Sequence, residues 1–383
     1  MALDAETRDQ LIDTVRRFVA ERLRPLEAEV EANDAIPDDV VREMKEMGLF
    51  GLSIAEEYGG LGLTMLEEAK VAIELGRTSP AFRSSFGTNV GIGSQGLVMA
   101  GNAEQKAEWL PKIASGEIIT SFALTEPDVG SDSGAVKTKA VWDGQAYRLS
   151  GTKRFITNAD KADLFTVMAR TGDDPGARGV SSFLVPRDLA GVLIGEPEKK
   201  MGQKGAKVAD VIFDDVIVPV ENRLGEEGEG FKIAMRVLDK SRPGIAAQAL
   251  GIAAGALDYA TNYAKERIAF GKPIGQHQGV GFMLADMKTE VEASRLMLYE
   301  AARKCDAGAP DVTLWAAMAK LKCGDVAMSV TTDAVQILGG FGYSSEYPVE
   351  RMMRDAKITQ IYEGTQQIQR LVISRALVGK AKA

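Results

Sequence analysis

The sequence offers very few side chains for metal or thiol chemistry. Its 383 residues include one histidine, His277, and two cysteines, Cys305 and Cys323, in segments rich in Ala, Leu and Met. No HExxH motif, multi-histidine metal site or CxxC pair can be built from this set, so no metal site is predicted and the thiols are interpreted as buried and free. Difficult redox chemistry would therefore require an organic cofactor.

One turn has the composition of a cofactor site. The segment 122–132 reads Phe-Ala-Leu-Thr-Glu-Pro-Asp-Val-Gly-Ser-Asp, in which Pro127 and Gly130 shape a turn that exposes backbone N–H groups beside hydroxyls. Such a turn suits hydrogen bonding to a flat polar heterocycle or to phosphate. Composition alone also permits a purely structural turn.

A second glycine pattern does not predict a nucleotide site. Residues 91–96 match GxGxxG, which binds dinucleotides where it follows a buried strand and starts the helix of a βαβ unit. The preceding residues 83–88 do not read as such a strand. A loop or a close helix contact is the better interpretation of this pattern.

The hydrophobic pattern divides the chain into three predicted domains, at residues 1–120, 121–228 and 229–383. The first reads as helices, because apolar residues recur at helical spacing, as in 11–26. The third also reads as helices, with long stretches rich in Ala, Leu and Met such as 282–304. Helices of this kind suit the core of a four-helix bundle and a subunit interface.

The middle part reads as short strands joined by tight turns. Alternate residues of 136–142 are Val, Thr, Ala and Trp, and Asp143-Gly144 is a strong hairpin signal. Further short apolar runs occur at 164–168, 182–185 and 211–213. Because no helices separate the runs, the predicted fold class is α+β: an N-terminal helical domain, a middle antiparallel β-barrel or sandwich, and a C-terminal four-helix-bundle domain.

The net charge and the hydropathy of the chain argue against certain classes of binding partner and against a membrane-spanning segment. A formal net charge of -8 argues against nucleic acid or an anionic membrane as partner, since both require a basic surface. The segment 1–6 contains two acidic residues and no basic one, and it predicts the start of a helix rather than a signal peptide. No apolar run approaches the roughly 20 residues that span a bilayer. A cytoplasmic protein is therefore expected, and a matrix protein whose presequence has been removed is the alternative.

Five segments, in the same order, resemble the motifs of the acyl-CoA dehydrogenase family, and the resemblance covers essentially the whole chain. They are 122–132, 155–158, 267–278, 336–340 and 354–367. Alone, several have ordinary interpretations: His277 as a packing residue, 336–340 as a helix end and Glu363 as a solvated residue at a helix start. Their joint order is what supports the family assignment.

The resemblance implies a bound FAD. An aromatic ring, here Phe155 where Trp is common, covers the isoalloxazine, and the hydroxyl of Thr157 faces its N5 edge. Segment 267–278 contacts the FAD of a neighbouring subunit, with Arg267 on the pyrophosphate and Ala269 where relatives carry Thr, which implies a homotetramer. The cofactor-binding residues implied are Phe122, Leu124, Thr125, Gly130, Ser131, Phe155, Ile156, Thr157, Arg267, Phe270, His277, Gln278, Gln336, Gly339, Gly340, Thr365 and Gln367.

The resemblance also implies the reaction. Glu363 would take the α-proton of an acyl-CoA while the β-hydrogen passes as hydride to the flavin, giving a trans-2-enoyl-CoA, and electrons would pass to an electron-transferring flavoprotein. The N–H of Glu363 would polarise the thioester carbonyl. A free Glu titrates near about 4.3, so desolvation must raise the pKa of this base. Some relatives place the base at the position of Ser241, and a serine there favours Glu363.

The substrate contacts follow in the same way. Ser131, Asp239 and Arg242 are expected to contact CoA, and Tyr362 and Gly364 to contact the substrate beside the base. Arg83 and Thr88 fall where relatives line the far end of the acyl pocket.

The pair Arg83-Ser84 matches the branch that acts on glutaryl-CoA, although Gly87 replaces a further serine of that branch. Arg83 is therefore a candidate for pairing with a distal carboxylate, and a structural arginine is the alternative.

Other functions remain open from the sequence. An acyl-CoA oxidase or an enoyl-CoA reductase could use the same scaffold. A flavin-bearing homologue associated with nucleic acid is a different class, which the acidic charge disfavours. A purely structural helical protein would bind no flavin.

Overall fold

The computed structural model describes residues 5–174 and 176–379. The first residues of the predicted N-terminal helix and the outer ends of the first and last predicted domains lie outside the described residues. The helices are α1 Ala5–Phe18, α2 Glu27–Asn33, α3 Asp38–Glu46, α4 Met65–Gly76, α5 Pro80–Val90, α6 Gln95–Ala100, α7 Ala103–Ser115, α8 Gly230–Glu266, α9 Gln278–Asp306, α10 Val312–Leu338, α11 Pro348–Lys357 and α12 Gln366–Val378.

The strands lie almost entirely between α7 and α8. They are β1 Thr120–Ala123, β2 Lys139–Trp142, β3 Ala146–Thr157, β4 Leu164–Arg170, β5 Val180–Pro186, β6 Val192–Ile194, β7 Val208–Pro219, β8 Arg223–Leu224, β9 Ile268–Ala269 and β10 Lys272–Pro273. This distribution confirms the predicted helical, β and helical fold class. The domain boundaries stay a prediction.

The middle sheet differs from the prediction in one respect. Its strands follow the order β6-β7-β3-β2-β4-β5-β8, and the predicted hairpin joins β2 to β3 in antiparallel register. β1, however, pairs with β4 in parallel, with Ser121 opposite Phe165. β2 also pairs with β4 in parallel, with Lys139 opposite Arg170, so the prediction of a wholly antiparallel sheet was wrong for both of these pairs. Two parallel strands must be joined by a long connection rather than by a tight turn, so no turn motif in the sequence predicts their pairing.

Each part of the chain has its own apolar core. In the first part, Val15, Val19 and Leu23 bury one face of the N-terminal helical segment, as their spacing predicts. The middle core is formed by inward-facing residues such as Phe165. Both cysteines are free, as predicted; Cys323 is buried and Cys305 is half-buried. Among the described residues, no helix combines the length and hydrophobicity that a membrane crossing requires.

Helices α4 and α8 cross with direct backbone contact. A Cβ atom added to Gly251 would lie 2.4 Å from the carbonyl oxygen of Ile73 and 2.6 Å from the Cα of Gly76. Only glycine fits such a contact without movement of a helix. Because α4 and α8 both line the functional cavity described below, this crossing sets the distance between two of its walls.

We expect Gly251→Ala to lower the free energy of unfolding by about 1–3 kcal/mol, because overpacking a close contact typically costs that much. Gly279→Ala in α9 is the control, since its added Cβ meets nothing within 4 Å. The control should be neutral or slightly stabilising, as alanine favours helix. Urea unfolding followed by circular dichroism measures both, and equal midpoints for the two variants would contradict the close-contact explanation.

Candidate functional site

One large cavity lies where the three parts of the chain meet. It has a volume of about 570 Å³ and is bounded by α4, α5, α8, the end of β3 and the loop before α12, with a mostly apolar wall. The predicted site residues that line it are Arg83, Thr88, Phe122, Leu124, Thr125, Gly130, Ser131, Phe155, Ile156, Thr157, Arg242, Tyr362, Glu363, Gly364 and Thr365. Residues far apart in sequence are thus brought together around one space.

Glu363 lies in the loop 361–365, which we call the Glu363 loop. Its φ of +53° is left-handed, a conformation that residues other than glycine adopt rarely. Ser241 of α8 donates a hydrogen bond from Oγ to Oε2 of Glu363 at 2.6 Å. In the sequence, Ser241 indicated only that no alternative base stands at that position. In the structure it binds the Glu363 carboxylate directly.

The electrostatic environment of Glu363 opposes its ionisation. Burial raises the pKa of the Glu363 carboxyl, while the hydrogen bond from Ser241 and the charges of Arg242, Arg83 and Lys320 act in the opposite direction. A carboxylate with a raised pKa in an apolar cavity is a stronger base than a free one. The geometry therefore suits proton abstraction.

A buried polar platform holds the Glu363 loop from below. The carbonyl oxygen of Glu363 accepts hydrogen bonds from Arg242 Nε at 3.4 Å and from Gln369 Nε2 at 3.2 Å. The carbonyl oxygen of Gly364 accepts from Lys320 Nζ at 2.7 Å and from Gln369 Nε2 at 2.9 Å. These bonds stabilise the left-handed backbone that aims Glu363 into the cavity.

Sequence reasoning missed Lys320. Its side chain is 1 % exposed, and burial lowers the pKa of its ammonium to about 8, with the charge of Glu363 opposing that shift. The signal was present in α10, where Lys320 shares a face with the buried residues Ala316, Cys323 and Gly324. A lysine on an apolar helical face requires a polar partner, which here is the Glu363 loop.

The segment 122–132 and the end of β3 form the opposite wall. Arg154 donates its N–H to the carbonyl oxygen of Thr125 at 2.8 Å, which joins the two segments. Phe155 has a φ of +58°, and its ring is 57 % exposed with the guanidinium of Arg154 over it at 4.8 Å. An added Cβ at Gly130 would meet nothing within 4 Å.

This wall fits a flat heterocycle with polar edges. It combines an open aromatic face, three hydroxyl side chains (Thr125, Ser131 and Thr157) and a glycine that allows close approach of the backbone.

A buried ion pair supports the segment 122–132 from behind. Glu126 and Lys153 have side chains 4 % and 0 % exposed, and Lys153 Nζ donates to Glu126 Oε1 at 2.8 Å. Lys153 also donates to the carbonyl oxygen of Leu124 at 3.1 Å, and Glu126 accepts the N–H groups of Lys137 and Thr138. Sequence reasoning identified the turn but not this support, because the pair joins residues 27 positions apart.

A second polar group lies at the far end of the cavity. Arg83 Nη1 donates to Gln248 Oε1 at 2.8 Å, and Gln248 Nε2 donates to the phenol oxygen of Tyr362 at 3.0 Å. No carboxylate of the described residues lies within ion-pairing distance of Arg83. Gln248, which the sequence did not single out, thus connects Arg83 to the residue preceding the base.

Other predicted substrate residues are already engaged. Arg242 is 4 % exposed and pairs with Asp239 Oδ1 at 2.7 Å, beneath Glu363 rather than at the cavity mouth. Asp239 also accepts from Thr313 Oγ1 at 2.6 Å. Thr88 accepts a hydrogen bond from Asn158 Nδ2 at 2.9 Å. Their direct contact with substrate stays a prediction, whereas Ser131 is exposed at the rim.

The remaining predicted cofactor residues do not line this cavity. Phe270 is 96 % exposed, with its ring 5.9 Å from that of His277, whose Nε2 lies 3.0 Å from the carbonyl oxygen of Ala269. The guanidinium of Arg267 lies 5.3 Å from the ring centre of Phe341, which places 267–278 beside the end of α10. The outlying residues are Arg267, Phe270, His277, Gln278, Gln336, Gly339, Gly340 and Gln367, of which all but the half-buried His277 are exposed.

Comparison with protein-family profiles matches the whole architecture. The N-terminal domain of acyl-CoA dehydrogenases matches residues 5–117, the middle domain 121–216 and the C-terminal domain 228–378. A short-chain specific acyl-CoA dehydrogenase of Clostridium acetobutylicum is 43% identical over 370 residues, covering 96% of this chain and 97% of that protein.

Solved structures are similar over nearly their full length. The butyryl-CoA dehydrogenase of Megasphaera elsdenii is 40% identical with a TM-score of 0.95, covering 99% of this chain and 100% of that one. A chain from the structure of the electron transferring flavoprotein of Acidaminococcus fermentans is 44% identical, with a TM-score of 0.95 and 99% of each chain covered. A glutaryl-CoA dehydrogenase in complex with glutaryl-CoA is 36% identical, with a TM-score of 0.94 and coverage of 100% and 98%.

Proposed function

This chain belongs to the acyl-CoA dehydrogenase family of oxidoreductases, and from that premise we propose that it removes the α-proton of an acyl-CoA with Glu363 and transfers the β-hydrogen to FAD. The observation that carries the proposal is the Glu363 carboxylate, which projects into an apolar cavity and accepts a hydrogen bond from Ser241 at 2.6 Å. The expected product is a trans-2-enoyl-CoA.

The residues around Glu363 have different roles in proton transfer. The hydrogen bond from Ser241 orients the Glu363 carboxylate and stabilises its charge. Burial makes this carboxylate more basic than that of a free glutamate. The platform formed by Lys320, Arg242 and Gln369 fixes the loop, so that the backbone N–H of Glu363 can be directed at the thioester carbonyl and stabilise the enolate that develops. Bound substrate would exclude water from the apolar wall and raise the pKa of the base further.

The opposite wall supports FAD as the cofactor. Its open aromatic face at Phe155, its hydroxyls and the open space at Gly130 suit an isoalloxazine ring. FAD bound there would supply hydride acceptance, which no side chain of the protein can provide. Phe122, Leu124, Thr125, Gly130, Ser131, Phe155, Ile156, Thr157 and Thr365 would hold it.

The outlying cluster around Arg267 supports a multi-subunit site. Apart from the half-buried His277 its residues are exposed, and none of them lines the cavity, yet they present a guanidinium, an imidazole and glycines that suit a pyrophosphate and a ribose. We infer that they contact the FAD of a neighbouring copy, as expected for a homotetramer. Gln336, Gly339, Gly340, Gln278 and Gln367 would take part in that contact.

The acyl group is proposed to be short, with a polar end. Similarity to the short-chain and butyryl-CoA dehydrogenases supports a short chain. Arg83, which has no carboxylate partner among the described residues, supports a distal carboxylate such as that of glutaryl-CoA. The CoA part would extend past Ser131 towards solvent, with Asp239 and Arg242 as predicted contacts.

Removal of the Arg83 guanidinium tests this substrate assignment. We expect Arg83→Ala to lower kcat/KM for glutaryl-CoA by about tenfold or more, since a charged hydrogen bond contributes about 1.5–3 kcal/mol. Butyryl-CoA should lose much less. Ser84→Ala is the matched control, because Ser84 lines the same cavity but donates its hydroxyl to the carbonyl oxygen of Pro80. Unchanged preference among butyryl-, octanoyl- and glutaryl-CoA in Arg83→Ala would show that Arg83 is structural.

Anaerobic titration with a panel of acyl-CoAs, following flavin bleaching, tests cofactor, reaction and chain preference together. A colourless protein that no acyl-CoA alters would overturn the proposal. The electron acceptor is proposed to be an electron-transferring flavoprotein, which the similarity to the Acidaminococcus fermentans chain supports. Stopped-flow reoxidation by that acceptor compared with air separates a dehydrogenase from an oxidase. The cytoplasmic location stays a prediction.

A further inference from the structure

A second carboxyl group faces the cavity, and the proposed reaction does not use it. Glu68 of α4 lines the same cavity as Arg83 and is only 8 % exposed. Its Oε1 atom is buried without a hydrogen-bond partner. A buried carboxyl oxygen left unpaired is costly, so a ligand that completes its hydrogen bonding would be favoured.

Charged groups of both signs surround Glu68. Lys240 of α8 and Arg83 of α5 favour its ionised form, whereas Asp306 of α9 and the adjacent Glu67 disfavour it. The half-buried thiol of Cys305 also lies nearby on α9 and is neutral, since burial raises its pKa. Burial outweighs the two cations and raises the pKa of Glu68 to about 7. Near neutral pH the carboxyl therefore exists both with and without its proton.

Arg83 is the complementary partner across this end of the cavity. Arginine remains protonated, so its guanidinium carries a full charge even though burial lowers its pKa. Two glycines leave room around it: a Cβ would lie 3.4 Å from Nη1 at Gly87 and 3.1 Å from Nη2 at Gly244. The missing side chains leave space for a ligand group beside the guanidinium.

We propose that Arg83 and neutral Glu68 together bind the terminal carboxylate of a short dicarboxylyl-CoA. Arg83 supplies the charge, and the protonated carboxyl of Glu68 donates a hydrogen bond to one carboxylate oxygen. This subsite rests on the proposed dehydrogenase function and specifies its substrate class. No covalent step is involved, and the proton remains on Glu68 throughout.

The pH dependence follows from the charges. Below about pH 7, neutral Glu68 donates to the ligand and adds no repulsion. Above that pH, Glu68 is ionised and two carboxylates face each other, which weakens binding. The distal carboxylate of the substrate, with a pKa near about 4.3, stays ionised across this range. A monocarboxylic acyl chain of the same length does not experience either effect.

The test is the ratio of kcat/KM for glutaryl-CoA to that for valeryl-CoA between pH 6 and pH 8. The two acyl groups have equal chain length and differ at the distal end, so titration of Glu363 cancels in the ratio. The protonated fraction of a group with a pKa near 7 falls from about 90% to about 10% over this range, so we expect the wild-type ratio to fall by about tenfold. Glu68→Gln, which is neutral at every pH and keeps an N–H donor, should give a flat ratio.

A control and four outcomes decide the proposal. Glu67→Gln removes a neighbouring carboxylate whose charge raises the pKa of Glu68, so its ratio should still fall with pH, with the midpoint moved to lower pH. A pH response that persists in Glu68→Gln, or a flat ratio in wild type, would overturn the subsite. If valeryl-CoA reduces the flavin and glutaryl-CoA does so at neither pH, the carboxylate site is wrong while the dehydrogenase function stands. Failure of both substrates would instead overturn the proposed function.

Discussion

Glu363→Gln is expected to slow flavin reduction by acyl-CoA by roughly 10²- to 10⁴-fold, the usual contribution of a positioned general base. The amide has nearly the same shape as the carboxylate. Its oxygen can still accept the hydrogen bond that Ser241 Oγ donates to Glu363 Oε2, at 2.6 Å, in the wild-type protein. Substrate binding should therefore persist while proton abstraction is lost. Anaerobic stopped-flow absorbance after mixing with butyryl-CoA measures the rate of bleaching, and equilibrium titration measures binding.

The variant separates the base from the rest of the site. Ser241→Ala is the companion control, because it leaves the carboxylate in place and removes a hydrogen bond that lowers its pKa. That variant should bleach, with the acid limb of its pH profile moved to higher pH. Bleaching of Glu363→Gln at the wild-type rate would place the base on another residue.

Lys320→Met is expected to lower the rate of flavin reduction by about 10- to 100-fold, through the loop rather than through contact with substrate. Loss of the hydrogen bond to Gly364 removes a charged interaction of about 1.5–3 kcal/mol that holds the Glu363 loop. A left-handed residue other than glycine itself costs about 1–3 kcal/mol, so the loop would relax without this support. Base and substrate would then meet less often in the reactive geometry.

The pH profile distinguishes this positioning role from a general loss of stability. The charge of Lys320 lowers the pKa of Glu363, so its removal should raise that pKa and move the acid limb of kcat/KM to higher pH. Lys320→Arg retains the charge and should keep the limb near its wild-type position. Lys322→Met, which removes a half-buried ion pair between the same helix and Glu290 of α9, should change neither rate nor limb. An unshifted limb in folded Lys320→Met would refute the role.

Local patterns were sufficient for the fold class and for the residues with chemically distinctive side chains. Helical spacing identified the face that buries Val15, and the Asp143-Gly144 turn identified the hairpin of β2 and β3. Ordered motifs identified the two walls of the cavity around Phe155 and Glu363. The first two signals lie within short segments and the third lies in the order of such segments along the chain, so all three can be seen without knowledge of the fold.

The support of the site could not be predicted in the same way. The hydrogen bond between Ser241 and Glu363 joins residues 122 positions apart, and that between Arg83 and Gln248 joins residues 165 positions apart. Such pairs depend on how α8 packs, which no local pattern describes. For the same reason Arg242, predicted as a contact to CoA, is found under the base and paired with Asp239.

The glycine contact between α4 and α8 also bears on how the acyl specificity of this protein can change. Gly76 lies eight residues beyond Glu68 and Gly251 three beyond Gln248, about 12 Å and 5 Å along their helices at 1.5 Å per residue. Direct contact between backbone atoms of α4 and α8 sets the separation of the two helices. This separation does not depend on the side chains that face the substrate. Substitutions at positions 68, 83 and 248 can therefore alter the size and charge of the acyl end while the helices keep their spacing, which makes this end of the cavity well suited to evolutionary or engineered change of substrate.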